Sequence, residues 1–477
     1  MFKLLIIFAV FPLTSIAETH YLLIDGGIKK SKNYYRYYNS VRRGYEVTLK
    51  KGKYVKVIAK DGSWKMSPQY DEKLSNFSLT GKKAKIPVDG VVSYPPITSG
   101  AKYLYHIVKQ IEAAKLKKED QLVIFMTGHG YAPSDKKGPK SSSYSLWGGS
   151  YASWKKLSKA LEKFPDSKIK IVSTVCFGGG AHYISRELPN VCSVSTAPYF
   201  TSSSSGSAHE SIFSKSFWNH IKDNPKASLS SASNEGFKSD YVNPNLGSLS
   251  SLDYVNFVLK KFPYDRKYDD LRHTGKNKII GGENIWLHTA PDNHKTAIGH
   301  DFLDRSLKLK DELCSPQTCF AGIVQSDLAK INKQLATLSE IMEAIYTQRI
   351  KEQPKEIQTI FHDVIDDMKK NGIGYLAIAW KYDRKYQDLK ERWNAHEKKW
   401  KDSWDITKNL FNEGDQRAKM QKEFDDLKIA SEKDLRKFSF NHQMLGYLDK
   451  LEEFNKKADP EQKRKFVQLL QCEWEPL

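Results

Sequence analysis

The sequence predicts an α/β fold, a mostly parallel sheet with helices on its faces, followed by an all-helical C-terminal region. Three observations predict it. Short apolar runs alternate with amphipathic helical segments from about residue 19 to residue 220. Two of those runs, starting at Leu122 and at Ile169, end in a reactive side chain, His129 followed by Gly130 and Cys176 followed by Phe177 and three glycines. In an open α/β sheet that places both groups at the carboxyl edge of the strands, where ligands bind. Beyond about residue 320 the alternation gives way to dense charge laid over helix-spaced apolar positions.

In chain order, His20–Asp25 reads as a first strand ended by Gly26-Gly27. Residues 33–43 fit either a helix or an ordered loop rich in tyrosine and arginine. Tyr54–Ala59 is a second strand, and the polar stretch from there to Pro96 reads as an insertion without periodicity. Leu104, Ile107, Val108 and Ile111 mark a helix over 100–114 that leads into the histidine strand. Residues 134–143 form a solvated loop, and Tyr151–Leu161 an amphipathic helix running into the cysteine strand. Asn190–Ala197 is the next strand, 201–207 a serine-rich loop, Phe213–His220 a short helix and Leu252–Phe262 a helical patch, with Asn284–His288 as a last strand. Segments 323–347, 357–371, 383–404 and 431–457 give a helical domain of four or five helices punctuated by Gly374, Gly414 and Pro460. The expected division is therefore 18–310 and 320–477, with no repeat of fixed period.

Residues 1–17 carry Lys3, an apolar run from Leu4 to Pro12, and Ser15-Ile16-Ala17, a small-x-small cleavage site. That is a secretory signal with cleavage before Glu18, because the apolar run is too short to span a bilayer. No later stretch approaches the roughly 20 apolar residues of a membrane helix. A soluble mature protein is expected, secreted or periplasmic, and Asn76-Phe77-Ser78 is a glycosylation acceptor if the source is eukaryotic. The formal charge of +20 favours anionic envelope surfaces or acidic partners. Specific nucleic-acid binding is not expected, since no zinc finger, helix-turn-helix or arginine-rich arm is present. Five cysteines allow two disulfides and one free thiol. Cys314 and Cys319 are close enough to bridge a short loop. Cys192 and Cys472 are the leftover pair, with nothing local to support joining them, and Cys176 is the odd thiol. No cluster has structural zinc spacing, so neither a metal site nor a cofactor is expected.

Cys176 and His129 are the candidate nucleophile and base. A free thiol titrates near pH 8.5, about a unit and a half above neutrality, and an adjacent imidazolium would favour its thiolate. Gly130 and Gly178 can leave backbone N–H groups uncrowded toward a developing oxyanion. His182 competes as the base but sits inside an expected helix, where it faces solvent or packs. Asp25, at the end of the first strand, either orients a histidine, binds substrate or caps the turn.

The two blocks resemble the caspase, legumain and gingipain group of cysteine peptidases, nearest the legumain and GPI-anchor transamidase branch. Thr127-Gly128-His129-Gly130 is similar to the transamidase histidine block, and Cys176 ends a second apolar block as the family's nucleophile does. Asn33-Tyr34-Tyr35-Arg36 resembles the Asn-Tyr-Arg element of legumains, which implies that Arg36 lines the pocket for the side chain before the cleaved bond. Thr196, Ala197, Ser202 and Ser203 resemble another wall of that pocket. The likeness spans roughly residues 19–220 and implies a caspase-like sheet. Thr174 stands where legumains carry an acidic residue, Glu210 is the nearest acidic residue to the pocket, and the caspase Gln-Ala-Cys-Arg-Gly sequence is absent.

The expected activity is acyl transfer on peptides. Cys176 attacks the carbonyl, His129 protonates the leaving amine, and the amides of Gly130 and Cys176 stabilise the oxyanion. A transpeptidase with the same dyad is a close variant, and a non-catalytic secreted binding protein with a basic surface is the alternative class. The resemblance implies that the helical region acts as a prodomain over the site of a latent precursor, with a docking role as the alternative. Exposed processing loops are expected at 134–143 and 222–239.

Overall fold

The computed structural model describes residues 18–25, 27–29, 34–59, 91–92, 97–133, 139–199, 203, 211–241, 247–260, 343–344, 346–353, 355–371, 385, 388–398 and 406–477. The signal segment, Asn76, Ser202, Glu210, the expected strand at 284–288, Cys314, Cys319, Gly374 and the expected boundary at 310–320 lie outside the described residues.

The described strands are β1 (Thr19–Asp25), β2 (Tyr54–Ala59), β3 (Val91–Val92), β4 (Gln121–Met126), β5 (Gly130–Tyr131), β6 (Ser143–Ser145), β7 (Tyr151–Ser153), β8 (Lys168–Ser173), β9 (Val191–Ser195) and β10 (Ser248–Leu249). Seven of them form one sheet in the order β10-β9-β8-β4-β1-β2-β3. Six run parallel and β10 returns antiparallel beside β9. The chain leaves β1 for β2 on one side and comes back to β4 on the other. The switch point therefore falls between β1 and β4, the crevice where open α/β sheets bind ligands. β5, β6 and β7 make a small antiparallel sheet directly after β4.

The helices between the strands are α1 (Tyr35–Thr48), α2 (Gly100–Ala114), α3 (Trp154–Leu161), α4 (Ala181–Glu187), α5 (Ile212–Asp223), α6 (Leu229–Ser239) and α7 (Ser250–Val258). Side chains alternate across the sheet, as the two-residue period of a strand requires. Leu22, Ile24, Leu122, Ile124, Met126, Ile169 and Ile171 face α2, α3 and α4. Tyr21, Leu23, Val123, Phe125, Val172, Cys192 and Val194 face α1, α5, α6 and α7. On that second face Phe125, Phe217 and Trp218 pack ring against ring at centroid distances of 5.0 to 6.2 Å.

The exposed loop expected over 222–239 is instead largely α6. Ser228 and Ser231 cap its first turn reciprocally, and Leu229, Ala232 and Phe237 are buried in the core. A serine-rich segment read as loop because its apolar residues are few; the cap and the burial of one stripe are enough to make it a helix. The helix expected from Tyr151 starts at Trp154, where Ser153 accepts the Lys156 N–H as N-cap, and the three residues before it pair as β7.

From residue 343 on, the described residues are mostly helical, among them α8 (Lys355–Asn371), α9 (Ile406–Lys457) and α10 (Pro460–Trp474). Gly414 does not interrupt α9, and Pro460 opens α10 at its first turn, where its missing N–H costs nothing. These helices share a core with the sheet. Phe361, Val364, Tyr447, Leu448, Phe454, Phe466 and Leu469 belong to the same buried cluster as Val172 and Val194. Cys192 on β9 is disulfide-bonded to Cys472 on α10, the pair for which the local sequence offered no support, joined because α10 lies on β9. Around that bond the Lys170 ammonium donates to the Glu475 carbonyl, Leu477 N–H to the Ala227 carbonyl, and Ser250 and Ser251 to the Glu473 carboxylate. Among the described residues no helix is long and apolar enough to cross a membrane.

Two outcomes follow from this packing. Cys472→Ser should cost roughly 2–5 kcal/mol of stability, because it releases a loop of very different reach in the unfolded chain, and equilibrium urea unfolding measures it. Burial lowers the Lys170 pKa to about 7 and raises that of Glu473 to about 7. The Glu473 contribution is complete below the ordinary carboxylate range and is lost as pH rises through 7. The Lys170 contribution is complete above the ordinary lysine range and is lost as pH falls through 7. Thermal unfolding should therefore show a shallow stability minimum near neutral pH that a Lys170→Met, Glu473→Gln double variant flattens.

Candidate active site

Both reactive residues arrive from adjacent strands in strict register. Met126 on β4 lies opposite Ser173 on β8, and the Thr174 N–H extends the ladder to the Met126 carbonyl at 2.9 Å. Gly128, at φ 134°, turns the chain out of β4 in a region open mainly to glycine. The His129 carbonyl is then anchored by the Ser145 N–H at 3.1 Å and by the Ser145 hydroxyl. On the other strand Phe177 adopts φ 57°, a left-handed conformation rare for a large side chain, immediately after Cys176. Between the two loops the backbones almost touch: a Cβ on Gly130 would lie 1.9 Å from the Cys176 carbonyl oxygen. No residue with a side chain fits there.

The Cys176 thiol sits inside this junction, donating to the Ser203 carbonyl oxygen at 3.5 Å. Burial raises its pKa, against the backbone amides of Gly130 and Cys176 and the charge of Arg36, all of which favour the thiolate. The direction is opposite to that of the expected acidic thiol: burial outweighs the donors around the half-buried sulfur. A nucleophilic role for Cys176 would therefore call on a base to take its proton.

His129 is cradled by aromatic rings. Tyr34 and Tyr37 meet it edge-on at centroid distances of 5.2 and 5.4 Å, and the Tyr37 hydroxyl lies 3.4 Å from Nε2. Arg36 stacks over both tyrosines, 4.5 Å from the Tyr34 ring centre and 5.3 Å from that of Tyr37. One short stretch at the start of α1, just past the switch point, therefore contacts the histidine and places a cation near the thiol. The resemblance points to Arg36 in this stretch, and the aromatic cradle beside it is a further feature that the structure adds. Its signal was the i, i+3 spacing of Tyr34 and Tyr37, which puts two rings on one side of a helix entrance.

Thr196, just past β9, pairs through its hydroxyl with the Ser203 hydroxyl at 3.1 Å, and Ser203 in turn meets Cys176. Arg36, Thr196, Ser203, Gly130, Cys176 and His129 thus belong to one carboxyl-edge crevice. Asp25 is buried at the end of β1, where its charge reaches the buried Tyr144 phenol. His182 packs in the core on α4, its ring nitrogens meeting the Ser193 and Ser248 hydroxyls at 2.8 and 3.0 Å. It has no part in the crevice. The glycines after Cys176 let α4 start against its neighbours: a Cβ on Gly180 would lie 2.2 Å from the Trp154 ring.

No family model matches the chain, and no curated protein matches it. Among solved structures it is similar to the crystal structure of protein GSU0716 from Geobacter sulfurreducens. That match has 12% identity and a TM-score of 0.32, over 49% of this chain and 92% of the other.

Site-resolved alkylation checks the electrostatics. The rate of iodoacetamide modification at Cys176 should rise with pH through a midpoint above the 8.5 or so of a free thiol. Arg36→Ala should move that midpoint higher still, and a wild-type midpoint near neutrality would contradict the burial argument.

Proposed function

We propose that the chain is an exported cysteine endopeptidase of caspase-like type, using Cys176 as nucleophile and His129 as general base and acid. The observation that carries the reading is the close approach of the Gly130 backbone to that of Cys176, at the ends of two adjacent strands that deliver His129 and the thiol, with the N–H groups of both residues favouring the thiolate. Two N–H groups beside a nucleophile are what an acyl-transfer site needs, because the carbonyl oxygen that becomes negative lies next to the attacking atom.

In the reaction His129 takes the thiol proton as sulfur attacks the peptide carbonyl, and the two amides hold the oxyanion. The same imidazole then gives the proton to the leaving amine, and water resolves the thioester with His129 again as base. The aromatic cradle fixes the ring while leaving it partly exposed to a substrate. Arg36 on one side and the Thr196–Ser203 pair on the other are the pocket walls, which suits an acidic side chain or asparagine before the cleaved bond. The Cys192–Cys472 disulfide supports an oxidising, extracytoplasmic location for the mature chain. The net positive charge suits anionic envelope surfaces.

The test is cleavage of a proteome-derived peptide library by the purified protein beside a Cys176→Ala control, with new termini mapped by mass spectrometry. Cuts absent from the control, after acidic residues or asparagine, are the expected result. Silence that persists after limited proteolysis between residues 261 and 342 would overturn the enzyme reading in favour of a secreted binding protein.

A further inference from the structure

At the amino edge of the sheet, opposite the cysteine crevice, Glu18, His20 and Asp120 converge. One ligand-type atom from each lies within 4.8 Å of the other two. His20 starts β1 and Asp120 immediately precedes β4, so the group spans two adjacent parallel strands. His20 and Asp120 are 2% and 3% exposed, while the Glu18 side chain reaches the surface.

The histidine is the informative member. Neither of its ring nitrogens makes a hydrogen bond within the described residues, although both are buried. A buried imidazole ordinarily finds partners, and leaving it without them costs about 1–3 kcal/mol. Nε2 lies 3.4 Å from Asp120 Oδ2, a long ion-pair contact that, with the Lys117 and Glu18 N–H groups, lowers the Asp120 pKa against its burial, while Nδ1 has no hydrogen-bond partner among the described residues. A tetrahedral zinc ion with bonds of about 2.1 Å separates two of its ligand atoms by about 3.4 Å, so the spacing suits two ligands of one metal. The aspartate is already oriented: Oδ1 accepts the Glu18 N–H and Oδ2 the Lys117 N–H, each at 2.9 Å, the kind of outer support that metal-binding carboxylates carry.

We infer that Glu18, His20 and Asp120 bind a divalent transition metal of the zinc type, clamping the start of β1 to the start of β4. One imidazole and two carboxylates favour such an ion over calcium or magnesium, which take oxygen alone. Lys53 now pairs with the Glu18 carboxylate at 3.2 Å; its own side chain is 64% exposed, so it can yield to the ion and return to water. The inference is independent of the cysteine chemistry, since the two sites lie at opposite edges of the sheet. The sequence reading, which expected no metal, searched for clustered ligand spacing, and these ligands come from two separate strand entrances.

The experiment uses the full exported protein carrying Cys176→Ser, which removes the one described free thiol as a competing ligand. After chelator treatment it is titrated with zinc alone, with stoichiometry read by native mass spectrometry and thermal unfolding read in parallel. One zinc per chain and a raised melting temperature are expected. Glu18→Gln, at a part-exposed position that should not disturb folding, should weaken binding at least tenfold, and His20→Gln should abolish it. Cobalt in place of zinc should give the visible absorption of a tetrahedral site. No stoichiometric uptake, or uptake indifferent to both substitutions, would overturn the inference and leave Asp120 as a partner of the chain start alone.

Discussion

The candidate site depends on one backbone approach, that of Gly130 to the carbonyl of Cys176. Two loops leaving adjacent parallel strands would normally diverge, because side chains keep their backbones apart. Here one loop has no side chain at the crossing and the other turns through a left-handed residue at Phe177. The result is that the backbones of Gly130 and Cys176 lie in direct contact beside the thiol. The Ser145 clamp on the His129 carbonyl holds the first loop in place, and the β4–β8 ladder fixes the register of the second. A shift of one residue along that ladder would move the turn that carries Cys176 relative to the His129 loop and dissolve the junction.

The same junction raises the pKa of the thiol. A sulfur crowded by two backbones and Ser203 has lost part of its water, and the donors around it recover only some of that loss. Enclosure is also what makes those donors effective once charge develops, since a dipole acts more strongly where water is excluded. A raised thiol pKa and the close approach of the two loop backbones are therefore two consequences of one geometry.

Much of this arrangement was legible in the sequence. Tyr54–Ala59 and residues 100–114 have the bounds that their periodicity gave, and the two apolar blocks place His129 and Cys176 on neighbouring strands of a mostly parallel sheet. What escaped was whatever depends on distant chain. Lys170, between two isoleucines, has the pattern of a strand face turned to water; it is fully buried because α10, roughly three hundred residues later, covers it. The Cys192–Cys472 bond and the cradle around His129 are similar cases. Each residue has an unremarkable neighbourhood in sequence and acquires its role only when another element arrives. The helix at 229–239 escaped for a local reason, since serines that cap and pack look like loop until their burial is known.

The C-terminal helices bear directly on how latency could be built. A removable cover packs on a finished domain, and cutting its tether frees it. Helix α10 does not meet that description. It supplies Phe466, Leu469 and Leu470 to the sheet's own core, caps the buried Lys170, and is tied to β9 by a disulfide. A cut anywhere between α7 and residue 343 would leave two polypeptides held by that bond and by several buried contacts. On the proposed reading, any activation by cleavage would thus have to work by freeing a loop at the carboxyl edge, with α10 retained on the sheet.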